Sequence, residues 1–176
     1  MLRNWIKLNE ELFIENDLWF KTLKRTYRLP DGNVGDFYIK QEGPTVCILP
    51  LTADREVILV KQFRPGPEEA LLELPGGGIK EGESPERAAR RELLEETGYI
   101  GDLRFIGTSF DCAYSTMVRY NFVATQCHKV QVQQLNAAEF IEVVESPMDD
   151  FRNHIRSGKL TDIEVAYLGL DYLGLL

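Results

Sequence analysis

Apolar residues in this chain fall mostly into short, strand-length groups, and the helical period takes over where glutamates crowd together. Residues 18–28, "LWFKTLKRTYR", and 34–41, "VGDFYIKQ", read as two strands joined at "LPDGN", where Asp31-Gly32 is a hairpin signal. "TVCILPLT" (45–52) and "EVILVKQFR" (56–64) form a second pair around the polar turn Ala53-Asp54-Arg55. Their weak alternation predicts burial on both faces. A Pro/Gly-rich loop follows, then a helix over 85–97 and strands near 101–109, 117–126 and 139–145. Ser146 is placed to cap a further helix with Pro147 in its first turn, Gly158 ends it, and a last helix starts near Asp162. Strand groups mixed with helices, without regular βαβ alternation, predict an α+β fold or a sheet sandwiched between helices. The expected division lies near Gln41–Pro44, separating an N-terminal antiparallel β-region (1–44) from the main domain (45–176).

Composition narrows the class. The chain has 176 residues, 44% hydrophobic and 27% charged, which suits one globular domain with a small appendage. No apolar run approaches the roughly 18–20 residues that span a bilayer, and charges interrupt the start too often for a signal peptide. Cys47, Cys112 and Cys127 are odd in number and widely spaced, which predicts reduced thiols in the cytoplasm rather than disulfides or a zinc knuckle. The two histidines, His128 and His154, have no neighbour at metal-ligand spacing. A net charge of −8 argues against nucleic-acid binding, and an anionic substrate would need cations brought to it.

The candidate chemistry lies in residues 75–99. Pro75-Gly76-Gly77-Gly78 allows close approach to the main chain. Ser84 suits the N-cap of the helix, Pro85 its first position and Gly98 its end. At ~100° per residue Glu92, Glu95 and Glu96 share an arc of about 100°, with small Ala88 beside them. Two such carboxylates about 6 Å apart repel by roughly 3 kcal/mol at an effective dielectric near 20. The pattern alone fits either a solvated helix face or a site whose charge is neutralised by a divalent cation. Oxygen ligands of this kind suit Mg²⁺ or Mn²⁺.

Gly77, Glu83, Arg91, Glu92, Leu93, Glu95, Glu96 and Gly98 reproduce the box G-x5-E-x7-R-E-U-x-E-E-x-G-U, where U is aliphatic. By these residues the chain resembles the Nudix hydrolases. Tyr99 departs from the pattern, being aromatic at a position that usually serves packing. The resemblance implies an α/β/α sandwich with a mixed sheet that hydrolyses a nucleoside diphosphate linked to another moiety, using Mg²⁺ with Mn²⁺ as a substitute. It implies Glu92 and Glu96 as metal ligands, Glu95 as helper or further ligand, and the carbonyl of Gly76 in the metal shell. Glu83 and Arg91 then brace the loop against the helix, beside Gly77 and Gly98 as structural glycines.

"VKQFRPG" (60–66) and "LLELPGGGI" (71–79), behind an N-terminal β-region, look like the group of ADP-ribose and nucleoside diphosphate sugar pyrophosphatases. That likeness nominates Arg64 for the substrate phosphates and Glu73 for support of substrate or loop. Glu139 is nominated as metal ligand or general base, with Glu142 as an alternative that also reads as an ordinary strand residue. The segment 109–122, "SFDCAYSTMVRYNF", lacks the proline common in the group and has Met117 where an acidic residue is usual. Tyr114 and Ser115 are then expected to shape the sugar or base pocket. Trp19, with Phe20 and Tyr27, is a candidate for stacking on the base, or for packing in the hairpin or a dimer interface. The group's habit implies a homodimer formed through the N-terminal sheet.

Two other activities fit the same box: a housecleaning hydrolase of (d)NTPs or dinucleoside polyphosphates, and a non-catalytic nucleotide sensor. The complete set of box carboxylates argues against the sensor, and no appended domain is expected after the final helix.

Overall fold

The computed structural model describes residues 5–15, 21–137 and 139–176. They form two compact units. The N-terminal unit runs to Gly43 and includes Phe110–Val118; the larger unit takes Pro44–Ser109 and Arg119–Leu176.

In the N-terminal unit, β1 (Ile6–Glu15), β2 (Lys21–Arg28) and β3 (Val34–Gln41) make an antiparallel sheet in that order. The β2–β3 turn closes where expected. Gly32 has φ +93°, and the Asp31 carboxylate accepts from the Asn33 N–H at 3.0 Å. The segment 110–118 joins β3 through Lys40 N–H to the Tyr114 carbonyl (2.8 Å) and Thr116 N–H to the Lys40 carbonyl (3.0 Å). Strand β1 was not anticipated. Two register shifts, between Lys7 and Asn9 and between Leu12 and Ile14, put its polar and apolar side chains out of step, so no clean alternation marks it.

The larger unit is built on a mixed sheet. Its strands are β4 (Thr45–Thr52), β5 (Val57–Arg64), β6 (Glu69–Glu73), β7 (Gly76–Gly78), β8 (Tyr99–Phe110), β9 (Val118–Lys129) and β10 (Glu142–Ser146). The order is β10-β5-β4-β9-β8, with β6 on β5 and β7 on β4. β4 and β9 run parallel; β4–β5, β10–β5, β5–β6 and β4–β7 are antiparallel. Alternate residues of β4 serve two cores. Val46 and Ile48 pack with Ala88, Ala89 and Leu93 of α1 (Pro85–Thr97). Cys47, Leu49 and Leu51 pack with Phe151 and Ile155 of α2 (Met148–Ser157) and with Val165, Ala166 and Leu170 of α3 (Ile163–Tyr172). The sheet is therefore covered by helices on both faces, which is why its central strands read as continuous apolar runs. No helix among the described residues is long and apolar enough to cross a membrane.

Strands β6 and β7 occupy what reads as a Pro/Gly-rich loop. A strand of three glycines shows no side-chain pattern, and its pairing is made by backbone alone. The capping expected of Ser146 is corrected: Ser146 ends β10, Pro147 is the cap residue of α2, and no side chain caps that helix. Gly158 does end α2, in the left-handed conformation at φ +73°.

Candidate active site

Helix α1 starts and stops on the residues its sequence offers. The Ser84 hydroxyl accepts from the Arg87 N–H, Pro85 opens the first turn, and Gly98 at φ +78° donates to the Leu94 carbonyl. A side chain at Gly98 would also sit 2.2 Å from the Gln131 carbonyl oxygen, so this position admits only glycine. Ala88, Ala89 and Leu93 turn inward, which aims Glu92 and Glu96 at the glycine strand β7.

The contact between helix and strand is close. The Gly76 N–H donates to Glu96 Oε2 at 2.9 Å. A Cβ at Gly77 would lie 2.6 Å from Glu92 Oε1, and one at Gly76 would lie 2.3 Å from the Val46 carbonyl oxygen. The glycines are thus spaces that the carboxylates and strand β4 fill.

Arg91 ties the loop to the helix. Its Nε and Nη2 each donate to Glu83 at 2.9 Å, and Nη2 reaches the Gly78 carbonyl at 3.0 Å. Nη1 donates to Glu92 at 2.6 Å and to Glu95 at 3.2 Å. The guanidinium hydrogen bonds hold Glu83 down at about 2, and Glu83 foremost raises Arg91 further.

Burial pushes the Glu96 carboxyl up to about 8; the Gly76 N–H opposes this, and the charges of Glu92 and Glu139 add to it. Burial also raises Glu92, against the pull of Arg91, with Glu95 and Glu139 again adding. Glu139, from the loop before β10, is therefore felt at both carboxylates, while its own oxygens accept from Asn136 N–H (2.8 Å) and Nδ2 (2.9 Å). Crowded, desolvated carboxylates and carbonyls suit a hard divalent cation, which would relieve the repulsion. Among the described residues no three acidic, histidine or cysteine side chains already stand in a ligating cluster; Arg91 occupies two of the carboxylates instead.

Arg64, at the end of β5, lowers the Glu96 carboxyl by its charge, so its guanidinium is within electrostatic reach of that carboxyl. Its Nε donates to Glu73 Oε2 at 2.7 Å, where Gln62 Nε2 also donates at 3.0 Å. Glu73 is 1% exposed, and the Thr161 hydroxyl donates to its Oε1 at 2.6 Å. Both oxygens of Glu73 are thus engaged by neighbouring side chains. Gln62 and Thr161 went unnoticed in the sequence. Gln62 had a signal, since it lies two residues from Arg64 on one strand face; Thr161, 88 positions from Glu73, had none.

Tyr114, exposed, and Ser115, whose hydroxyl donates to Glu42 at 3.1 Å, belong to the N-terminal unit. Trp19 and Phe20 lie outside the described residues. Tyr27 packs edge-on against Trp5 and Phe37 at 5.9 and 5.8 Å. Glu142 pairs with Lys61 across β10 and β5 at 3.8 Å. Tyr99 is buried in the α1-side core and its hydroxyl bonds Glu145, so the aromatic departure from the box is a packing choice.

Comparison with known proteins agrees with the box. Residues 41–162 match the family described as NUDIX domain. The chain is 32% identical over 150 residues to an ADP-ribose pyrophosphatase of Bacillus subtilis (strain 168), covering 84% of this chain and 80% of that one. It is 29% identical over 171 residues to a GDP-mannose pyrophosphatase of Yersinia enterocolitica, covering 88% and 87%. A crystal structure of an ADP compounds hydrolase superposes with TM-score 0.81 at 22% identity, over 100% of this chain and 99% of that one, and shares its fold. The acidic helix packed on a glycine strand is thus the Nudix box in three dimensions, and the chain belongs to the Nudix hydrolase family.

Proposed function

We propose that the protein hydrolyses the diphosphate of ADP-ribose or a related nucleoside diphosphate sugar, releasing a nucleoside monophosphate and a sugar phosphate. The observation that carries this is the acidic helix closed on the glycine strand, with the Gly76 N–H on Glu96 at 2.9 Å, where the charges of Glu92 and Glu139 raise the Glu96 carboxyl and that of Arg64 lowers it. Such a site holds negative carboxylates and a cation for phosphate side by side. The B. subtilis and Y. enterocolitica relatives, named for ADP-ribose and GDP-mannose, support the substrate class.

In this reading Glu92 and Glu96, with Glu95 assisting and the Gly76 carbonyl, would hold Mg²⁺, for which Mn²⁺ would substitute. A cation held there would supply positive charge against the diphosphate and would make water beside it more acidic. Arg64 grips the diphosphate through charge-assisted hydrogen bonds. Glu139 takes the proton from the attacking water as its oxygen bonds to phosphorus and the bridging P–O bond breaks. Glu83 and Arg91 keep loop and helix in register. Tyr114, Ser115 and Trp19 are assigned to the sugar and base.

Residues 1–44 are assigned to a homodimer interface. Trp5, Ile6, Leu12, Phe13 and Ile14 present exposed apolar surface on a sheet with little core of its own. The free cysteines, two of them buried, fit a reducing, cytoplasmic setting.

A hydrolysis screen over ADP-ribose, GDP-mannose, dinucleoside polyphosphates and NTPs, with Mg²⁺ and with EDTA, tests the proposal. Turnover of a nucleotide sugar that EDTA abolishes is expected; fastest turnover of an NTP would replace it with the housecleaning reading.

A further inference from the structure

Arg64 ends strand β5 with its side chain about half exposed. Among the described residues its hydrogen bond runs from Nε to Glu73, which leaves Nη1 and Nη2 outside that pair. The partner is unusual, because a carboxylate 1% exposed is costly to bury and is retained only where donors surround it. Glu73 has three such donors: Arg64 Nε and Gln62 Nε2 on one oxygen, and the Thr161 hydroxyl on the other. Thr161 stands in the turn just before α3. It is held there by the packed start of that helix, where the Val165 and Ala166 N–H groups bond the Asp162 carbonyl. The Asp162 carboxylate caps nothing: it pairs with Arg119 at 3.2 Å and lies 3.2 Å from the Thr161 hydroxyl, whose single proton goes to the nearer Glu73 oxygen at 2.6 Å.

We infer that Glu73 and Thr161 are positioning residues for Arg64: the hydroxyl fixes the buried carboxylate, and the carboxylate clamps Nε so that both Nη nitrogens stay free for the diphosphate. The inference rests on Arg64 being a diphosphate ligand. Bidentate recognition of phosphate needs a guanidinium of fixed orientation, and a clamp on Nε leaves the outer fork intact. A loose Arg64 would lower the affinity for substrate more than the rate of bond breaking, since the gripping nitrogens remain but are less often in place.

The test is a cycle among Thr161→Val, Glu73→Gln and Arg64→Ala, assayed with Mg²⁺ on ADP-ribose or GDP-mannose, whichever is turned over faster. T161V is expected to raise KM about tenfold, the size of one charge-assisted hydrogen bond, with kcat changed less than about threefold. Thr161→Ser, which keeps the hydroxyl, should restore the wild-type KM. On the R64A background T161V should add nothing. Should T161V fail to fold, E73Q carries the same comparison against R64A. If R64A is impaired and T161V or E73Q raises KM by the same factor in both backgrounds, the positioning role is overturned while the Arg64 reading survives. If R64A itself leaves KM unchanged, the Arg64 reading fails and takes the positioning role with it.

Discussion

Arg91 grips Glu83 through two parallel hydrogen bonds of 2.9 Å each, so a loop residue and a helix residue eight positions apart are locked by a fork-to-fork pair. The same guanidinium reaches Glu92 and Glu95. Its removal therefore touches both the fold of the loop and the charge of the site.

The Glu83 carboxyl lies at about 2 in the folded protein, below its ordinary 4.5. A depressed carboxyl contributes stability that is complete above its unfolded value and is lost as the pH falls through the folded one. Glu83→Gln should lower Tm by about 3 °C at pH 7. The gap from wild type should close between pH 4.5 and 2, as melting curves across that range would reveal. A gap independent of pH would mean that the ion pair is not what Glu83 contributes.

Glu96 behaves oppositely. Its carboxyl is raised to about 8, so the metal-free fold binds a proton there that the unfolded chain releases near 4.5. Metal-free stability should fall as pH rises from 4.5 to 8, and Mg²⁺ should restore it while expelling the proton. Calorimetric titration in buffers of different ionisation heat would count that proton at pH 7. Absence of proton release would contradict the burial of Glu96 as a neutral acid.

Glu96→Gln removes the charge but keeps the volume and the bond from Gly76. Turnover should drop at least about a hundredfold. Tm of the metal-free protein at pH 8.5 should rise, because the buried charge is gone. Unchanged turnover would remove Glu96 from the metal site.

Gly77→Ala and Gly76→Ala separate function from fold. The added methyl at 77 meets the movable end of Glu92, so the protein should fold but lose Mg²⁺ affinity by about tenfold or more. At 76 it meets the backbone of Val46, which cannot yield, and Tm should fall steeply. Circular dichroism melts paired with Mg²⁺ titrations distinguish the two.

Dimerisation through residues 1–44 predicts a solution mass near twice 20.2 kDa by light scattering. Charged substitutions at Phe13 and Ile14 should shift it toward the monomer. A monomeric wild type at micromolar concentration would exclude the interface.

The acidic helix and its caps were legible because they are local. Ser84, Pro85 and Gly98 act within one turn of the chain, and the spacing of Glu92, Glu95 and Glu96 follows from 3.6 residues per turn alone. The burial of β4 on both faces was implied equally well by an unbroken apolar run between turns. The box residues together named the family before any coordinates. Strand β1 hid behind its bulges, and β7 hid because glycines carry no pattern. The cap expected at Ser146 went to the end of a strand, since ladder pairing with Val57 outweighed a side-chain bond. What only tertiary structure decided was which distant groups meet. Burial turned Glu96 into a weak acid, brought Glu139 within electrostatic reach of it, and set Thr161 behind Glu73 and Arg64. Those effects depend on distance and on exclusion of water, and neither is written in the order of residues along the chain.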